Sequence, residues 1–368
     1  MAKRFRILEL AGAVTAMALL AFALALSYES ACPAPTQYSL EGATMRAIVQ
    51  RCYGPPEVLA LEQVAKPVPG SNEVLVKVHA ASVNPADWHG MRGEPYVMRL
   101  SAGFGAPEDQ RFGTDFAGVV EAVGSEVSNY EVGDAVFGAR HGALAEYVLV
   151  RADRALAPKP DGVSFDEAAA VPVAAVTALQ ALRDQGAVQA GQKVLINGAS
   201  GGVGTFAVQL ARHFGAEVTG VCSTRNVELV EGLGAAHVID YTREDFTQGA
   251  ERYDLVVDLV GNRSLSDITR VLAPQGKLLI VGGPKNDPWI GPLSRPIAAA
   301  FLSPFVDQDL RFFIAQIGPA DLAFLAGLMR DGKLRSVIDR RYAFEATRDA
   351  MTHLQTGRAR GKIIVTIP

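Results

Sequence analysis

Lys193-Val-Leu-Ile-Asn-Gly-Ala-Ser-Gly-Gly-Val-Gly204 is the stretch that decides the fold. A short apolar run ends in a glycine-rich turn, and the turn opens a helical pattern over 205–214. In that context a glycine loop binds phosphate. Gly201 lets the backbone approach a pyrophosphate, and Gly204 lets the helix pack close to the strand. The amides at the helix N-terminus, from Ser200 through Gly202 and Val203, then face the negative charge. Ala199 departs from the G-x-G-x-x-G pattern at its first position. The alternative is a glycine-rich tight turn with no ligand.

Working outward, the rhythm of the chain supports the first reading. Downstream, Glu217-Val-Thr-Gly-Val, His237-Val-Ile, Leu255-Val-Val and Lys277-Leu-Leu-Ile-Val read as short apolar strands. Helical patterns at 227–234 and 264–272 lie between them. Continuous apolar strands alternating with helices imply a parallel sheet covered on both faces, a doubly wound α/β domain. Upstream, from Met45 to about Val150, the pattern is β-rich. Val74-Leu-Val-Lys-Val-His-Ala, Gly118-Val-Val-Glu-Ala-Val and Ala145-Glu-Tyr-Val-Leu-Val alternate or run as strands, with a turn at Gly133-Asp134. Helices are expected at 165–170 and 176–183. The closing Lys362-Ile-Ile-Val-Thr-Ile reads as a strand that rejoins the first domain, which makes the parallel sheet an insertion. The expected division is an extension at 1–44, a β-rich domain at 45–168, the parallel-sheet domain at 169–305, and a return to the first domain at 306–368.

The choice of dinucleotide is read at the end of the second strand of the sheet. About 20 residues past the loop, an acidic residue would hold the ribose 2′-hydroxyl of NAD. Here the chain reads Cys222-Ser-Thr-Arg-Asn226, with no acid. Ser223 and Thr224 offer hydroxyls, and Arg225 offers a planar cationic fork suited to a 2′-phosphate. NADPH is therefore expected over NADH. The plain alternative for Arg225 is a solvated residue at a helix start.

Composition narrows the function. The 368 residues are ample for two domains, and 49% hydrophobic against 20% charged residues is an ordinary globular balance. A net charge of −4 gives no electrostatic case for nucleic acid or an anionic membrane surface. Cys32, Cys52 and Cys222 are odd in number and far apart, read here as neither a disulfide framework nor a metal cluster, consistent with a reducing compartment. The six histidines show no ligand spacing with a cysteine or an acid. The N-terminus is the exception. Lys3, Arg4 and Arg6 precede an apolar run from Ala11 to Leu26, short of the roughly 20 residues a spanning helix needs. A cleaved signal, a membrane anchor through 11–26, and a start assigned too far upstream of Met45 all stand open. A signal or anchor would carry the rest outside, away from a cytosolic cofactor; the catalytic part is expected in the cytoplasm.

With these residues in view the chain resembles the medium-chain dehydrogenase/reductase superfamily, over nearly everything from Met45 to Pro368. The matching segments are Val83-Asn-Pro-Ala-Asp-Trp, Gly113-Thr-Asp-Phe-Ala-Gly-Val-Val, Val132-Gly-Asp-Ala-Val-Phe, the glycine loop, Cys222 to Asn226, and Thr356-Gly-Arg-Ala-Arg-Gly-Lys-Ile. Within the superfamily it looks like the zinc-free quinone-oxidoreductase branch. That resemblance implies a GroES-like catalytic domain, an inserted Rossmann domain, and an active site in the cleft between them. Where metal-dependent members hold catalytic zinc, this chain has the Asn84 region and Thr114-Asp115, so no metal is expected. Oxidising a simple alcohol calls for a Lewis acid to make the alkoxide. Without one, the natural acceptors are already electrophilic: quinones, or alkenes conjugated to a carbonyl.

The resemblance places Asn84 and Asp87 beside the nicotinamide. Read from the residues alone, Asn84 is an N-cap, Pro85 the first helical residue, and Asp87 a favourable first-turn charge. Tyr96 is a candidate for substrate contact or for packing, and Trp88 belongs to the core. Thr177 falls where the family has a threonine near the nicotinamide, and Tyr241 where it has a residue near the 2′-phosphate. Val260-Gly261 and Gly282-Gly283 end strands on the carboxyl side of the sheet, where ligands bind; as plain structure they are turns. The expectation is an NADPH-dependent reductase of quinones or enones, in an oligomer if it follows the family. A reductase restricted to enones, an NADPH-binding sensor with little turnover, and a membrane-anchored accessory protein are the alternatives.

Overall fold

The computed structural model describes residues 2–33, 42–284 and 287–368, the first of these with side chains only from residue 14. Fifteen strands follow in chain order. β1 (Thr44–Gln50), β2 (Leu59–Ala65), β3 (Glu73–Val83), β4 (Asp115–Val123), β5 (Ala135–Ala139), β6 (Tyr147–Arg151) and β7 (Leu156–Pro158) precede the glycine loop. β8 (Lys193–Asn197), β9 (Glu217–Cys222), β10 (His237–Asp240), β11 (Tyr253–Asp258), β12 (Leu272–Ile280) and β13 (Asp309–Phe312) come next, then β14 (Ile338–Ala343) and β15 (Lys362–Thr366).

The central strands form a six-stranded sheet in the order β10-β9-β8-β11-β12-β13, every neighbour parallel. Val194, Leu195 and Ile196 of β8, with Val256, Val257, Leu278 and Leu279 on the strands beside it, are buried. Strands buried on both faces have no polar side to alternate with, hence the continuous apolar runs in the sequence. The helix Gly202–His213 covers one face through Phe206, Ala207, Val208 and Leu210. On the other face, Leu265, Ile268 and Val271 of the helix Leu265–Val271 pack with Val256 and Leu278.

The flanking segments build a second sheet in the order β14-β15-β3-β4-β5-β7, with β6 also paired to β3. This is the GroES-like half, and the parallel sheet is the Rossmann half; that sheet runs past the expected boundary at 305, because β13 (Asp309–Phe312), a half-exposed edge strand with no apolar run to mark it, closes the sheet beside β12. β15, from the far end of the chain, lies antiparallel to β3, so the chain's last strand does rejoin the first domain. The register of these strands sets which polar residues meet. Ile363 faces Val83, and Ser82 faces Asp115 across to β4. Ser82, Asn84, Asp115 and Lys362 are therefore gathered at one end of three adjacent strands. Trp88 is core, as expected, at 6% exposure.

The N-terminal segment departs from the sequence reading. A helix runs from Ala2 to Ser27, and its described apolar side chains Val14, Met17, Leu19, Leu20, Phe22 and Leu24 are exposed. Among the described residues no helix is long and apolar enough to cross a membrane. In its last turn Leu26 is buried, and past the helix the chain folds back on the GroES-like half. Ser30 donates its backbone N–H to Gly105 O at 3.0 Å, and Cys32 is disulfide-bonded to Cys52. The reading of three unpaired cysteines is corrected here. Spacing along the chain gave no hint, because the pairing comes from residues 28–32 doubling back to lie beside the end of β1. Only Cys222 is a free thiol, and its burial raises its pKa to about 11, which leaves it unreactive.

Candidate functional site

The glycine loop sits at the carboxyl end of β8, where an open parallel sheet offers its crevice. Gly198 takes the left-handed backbone conformation at φ +91°, so the turn is made one residue before the position that Ala199 occupies. That explains why Ala199, buried in the strand–helix junction, is tolerated there. A Cβ on Gly204 would lie 2.1 Å from Gly198 O, so the helix can pack on the loop only through glycine. A Cβ on Gly201 would make only an ordinary contact, with Gly198 O at 3.4 Å. The loop is thus tight at Gly204 and tolerant at Gly201, and its glycines and helix-start amides fit the phosphates of a dinucleotide.

At the end of β9, Asn226 is buried. Its amide donates to Ser200 Oγ at 2.9 Å and to Ser223 Oγ at 3.2 Å, while its Oδ1 has no partner. Asn226 thereby joins the glycine loop to the 223–226 turn, a link that sequence reading missed. Arg225 is exposed and donates to Arg358 O of the segment leading into β15. Thr224 donates its hydroxyl proton to Asp240 Oδ2 at 2.6 Å, and Thr242 holds the other oxygen at 2.7 Å. These bonds hold the Asp240 carboxyl below the usual carboxylate range. Tyr241 follows directly and is 49% exposed at the same rim. Ser223, Thr224, Arg225 and Tyr241 are together at this end of the cleft.

Val260, Gly261, Gly282 and Gly283 lie at the ends of β11 and β12, and packing accounts for the glycines. A Cβ on Gly261 would meet Gly283 Cα at 2.8 Å, and one on Gly282 would meet Leu259 O at 2.0 Å. Beneath them lies a buried ion pair that the sequence did not reveal. Arg295 donates to Asp258 Oδ2 at 2.6 Å, while Asp258 Oδ1 accepts from Asn197 Nδ2 at 2.8 Å and the Gly261 amide at 2.9 Å. Asp258 ties the ends of β8 and β11 together.

The GroES-like half meets the glycine loop through β15. Gly361 N donates to Ser200 O at 2.9 Å, and a Cβ on Gly202 would lie 3.2 Å from Lys362 Cδ. Lys362 is 3% exposed, and its ammonium donates to Asn84 Oδ1 and reaches Asp115 Oδ2 at 3.4 Å. Asp115, fully buried, also accepts from Ser82 Oγ at 2.9 Å, Asn84 Nδ2 at 3.0 Å and Val173 N at 3.0 Å. Val173 begins the helix Pro172–Gln180, whose Thr177 hydroxyl donates back to Val173 O at 2.7 Å. Asn84 therefore does not cap its helix with its side chain. The capping is done by Asp87, which accepts the Asn84 N–H at 2.8 Å. Asp87 Oδ1 accepts from Thr114 at 2.8 Å. Burial pushes the Asp87 carboxyl up to about 6, against the pull of those two hydrogen bonds.

Lys362 and Asp115 were inside segments that carried the family resemblance, yet neither stood out as a site residue. A lysine buried in a strand is the signal, and it is visible only once the strand is known to be central. Tyr96 stands apart from this cluster. Its N–H donates to Pro288 O at 2.7 Å, and its ring packs edge-on to Trp289 at 5.2 Å.

Residues 70–161 match the alcohol dehydrogenase GroES-like domain, and residues 233–365 match the family described as zinc-binding dehydrogenase. The chain is 33% identical to the chloroplast envelope quinone oxidoreductase homolog of Arabidopsis thaliana, over 89% of this chain and 99% of that protein. The chain belongs to the medium-chain dehydrogenase/reductase superfamily, in its quinone-oxidoreductase-like branch. The NADPH-dependent alkenal/one oxidoreductase of Arabidopsis thaliana is 32% identical over 87% of this chain and 79% of that protein. The quinone oxidoreductase from Coxiella burnetii superposes with a TM-score of 0.77 at 33% identity, covering 89% of this chain and all of that one. As a member of this branch the chain is an oxidoreductase that uses a nicotinamide cofactor and acts on a small molecule.

Proposed function

We propose that the protein is an NADPH-dependent, zinc-independent reductase of quinones or of alkenes conjugated to a carbonyl. The observation that carries the reading is the buried Lys362–Asn84–Asp115 cluster set directly against the glycine loop. When bound, the reduced nicotinamide supplies a hydride. The loop amides from Ser200 to Gly204 would hold the pyrophosphate, and Ser223 with Arg225 the 2′-phosphate. Lys362 carries three N–H donors, of which Asn84 and Asp115 take two; the third has no acceptor among the described residues. A fixed cation in a dry cleft is suited to an oxygen that gains charge as the acceptor is reduced. Asn84 and Asp115 act as positioning residues for that ammonium.

Zinc independence rests on side-chain chemistry. Among the described residues no group of three or more His, Cys, Asp or Glu is placed to hold a metal ion. Lys362 takes the electrostatic part that a Lewis acid would otherwise play. The relatives' names, quinone oxidoreductase and alkenal/one oxidoreductase, support the two acceptor classes.

The test is NADPH oxidation by the full chain against a panel of quinones and conjugated enones, with NADH and a strong chelator as controls. Turnover that favours NADPH and survives the chelator is the expected result. Loss of turnover with the chelator, or equal use of NADH, would overturn the corresponding part. Arg225→Ala should weaken NADPH roughly tenfold or more and NADH little, the worth of one charge-assisted contact.

A further inference from the structure

Tyr96 is tied to the N-terminal segment through one side chain, Arg99. The Arg99 guanidinium is fully buried, and all five of its N–H donors are used. Nε donates to Gly93 O at 2.8 Å and Nη2 to Arg92 O at 3.3 Å, both at the end of the helix that carries Asp87. The other three bonds go to the N-terminal segment: Nη1 to Leu26 O at 3.1 Å and Tyr28 O at 3.0 Å, and Nη2 to Glu29 Oε1 at 2.9 Å. The same guanidinium is stacked on two rings, 4.4 Å from the Tyr96 centroid and 4.6 Å from that of Tyr53. Tyr53 follows Cys52, and its hydroxyl donates to Gly103 O at 2.9 Å.

Residues 26–32 thus form a strap across the loop that runs from Asp87's helix to Thr114. It is fastened at one end by Arg99, in the middle by Ser30 on Gly105, and at the other end covalently by Cys32–Cys52. On the opposite side of the loop Tyr96 leans on Trp289 of the Rossmann half. We propose that the strap is a redox-sensitive brace on the 93–108 loop and on its Tyr96–Trp289 contact with the Rossmann half, with Arg99 as the positioning residue that transmits its state to Tyr96. The proposal rests on the reading of Tyr96 as an acceptor-contact residue.

Cys32 lies in an exposed stretch and Cys52 is 3% exposed. A dithiol reductant attacks the Cys32 sulfur, the S–S bond breaks, and Cys52 leaves as thiolate and takes a proton. The second thiol of the reductant then displaces Cys32, so two electrons pass to the protein and the reductant ends as a disulfide. With the bridge open, three hydrogen bonds to Arg99 and those to Gly105 must hold the strap alone. The loop then has to be re-ordered when an acceptor binds.

The experiment compares the full chain, with its bridge verified by alkylation and mass, before and after treatment with a phosphine or dithiol reductant. Amide hydrogen exchange across 93–108 is read together with steady-state kinetics. Reduction should speed exchange in 93–108 and raise the acceptor KM roughly three- to tenfold while NADPH affinity is unchanged. Cys32→Ser should show the raised KM from the start and no response to reductant. Arg99→Lys keeps the charge but loses the fork, and should raise the acceptor KM with the bridge intact. Should that variant fail to fold, Glu29→Gln weakens the same clasp from its exposed end. Unchanged exchange in 93–108 with unchanged KM on reduction would overturn the brace. If neither form oxidises NADPH with any acceptor, the functional reading fails, and the exchange data decide the brace by themselves.

Discussion

The two ends of the cleft are built on opposite terms. The proposed cofactor end is backbone: a left-handed Gly198, a close contact at Gly204, an ordinary contact at Gly201, and amides at a helix start. The proposed acceptor end is side chain: Lys362, Asn84, Asp115, Ser82 and Asp87, which are buried, and the half-buried Thr114, gathered at the ends of three strands and a helix. A backbone site is local in the chain, and its chemistry is written as spacing. The side-chain site joins residues 278 positions apart, and it exists only once β15 has been laid against β3 in register.

The largest expected effect tests the acceptor end. Lys362→Met removes the cation and leaves the Asp115 carboxylate buried with only neutral donors. We expect about 2–4 kcal/mol of lost stability in urea unfolding, below the full value for a broken buried pair because Ser82, Asn84 and Val173 still donate. In the folded fraction kcat should fall roughly 100-fold while NADPH affinity stays within a factor of about three. A variant with normal kcat would show that the cluster is structural and that the contrast between the two ends is mistaken.

The cofactor end can be split within itself. Gly204→Ala forces a methyl onto a carbonyl oxygen and should cost about 2–3 kcal/mol of stability. Gly201→Ala meets only an ordinary contact, so its melting temperature should hold while NADPH affinity drops at least tenfold. Equal losses of stability in the two, with NADPH affinity unchanged, would mean that the ligand does not lie over Gly201.

Asp87 gives an effect of definite sign. Its carboxyl titrates at about 6 in the folded protein against an ordinary 3.8, so the folded state binds its proton more tightly. The stabilisation this gives is full below about pH 4 and is lost as the pH rises to about 6. Asp87→Asn removes that dependence. Its stability relative to the unaltered protein should therefore improve by about 2–3 kcal/mol between pH 4 and pH 7, read from paired unfolding curves. A flat difference would show that the Asp87 carboxyl is not desolvated.

The same contrast explains what the sequence made legible. Five of the six parallel strands, the central strands of the second sheet, the glycine loop and the 222–226 turn were readable because period and spacing are local properties; β13, a short edge strand of Asp309-Leu-Arg-Phe312, carries no apolar run and was not. Asn84 and Asp87 were reached through the family resemblance, but their division of labour was not. Asn84 turns its side chain to Lys362, and the capping falls to Asp87. Lys362, Asp115 and the Asp258–Arg295 pair were missed, since burial of a charged residue has no sequence signature until its partner's place is known. Cys32–Cys52 was missed for a related reason. The two cysteines are 20 positions apart, and what brings them together is a strap held by Arg99, 47 positions past Cys52.

In the proposed reaction a hydride passes in this cleft to an electrophilic carbon conjugated to a carbonyl, or to a quinone, rather than to a simple carbonyl. The direct measurement uses NADPH deuterated at the transferring position of the nicotinamide, with an enone as acceptor and the label located in the product by NMR. Deuterium at the carbon β to an intact carbonyl is the predicted result. Deuterium on the former carbonyl carbon, in an allylic alcohol, would rule out conjugate reduction and return the chain to alcohol dehydrogenase chemistry.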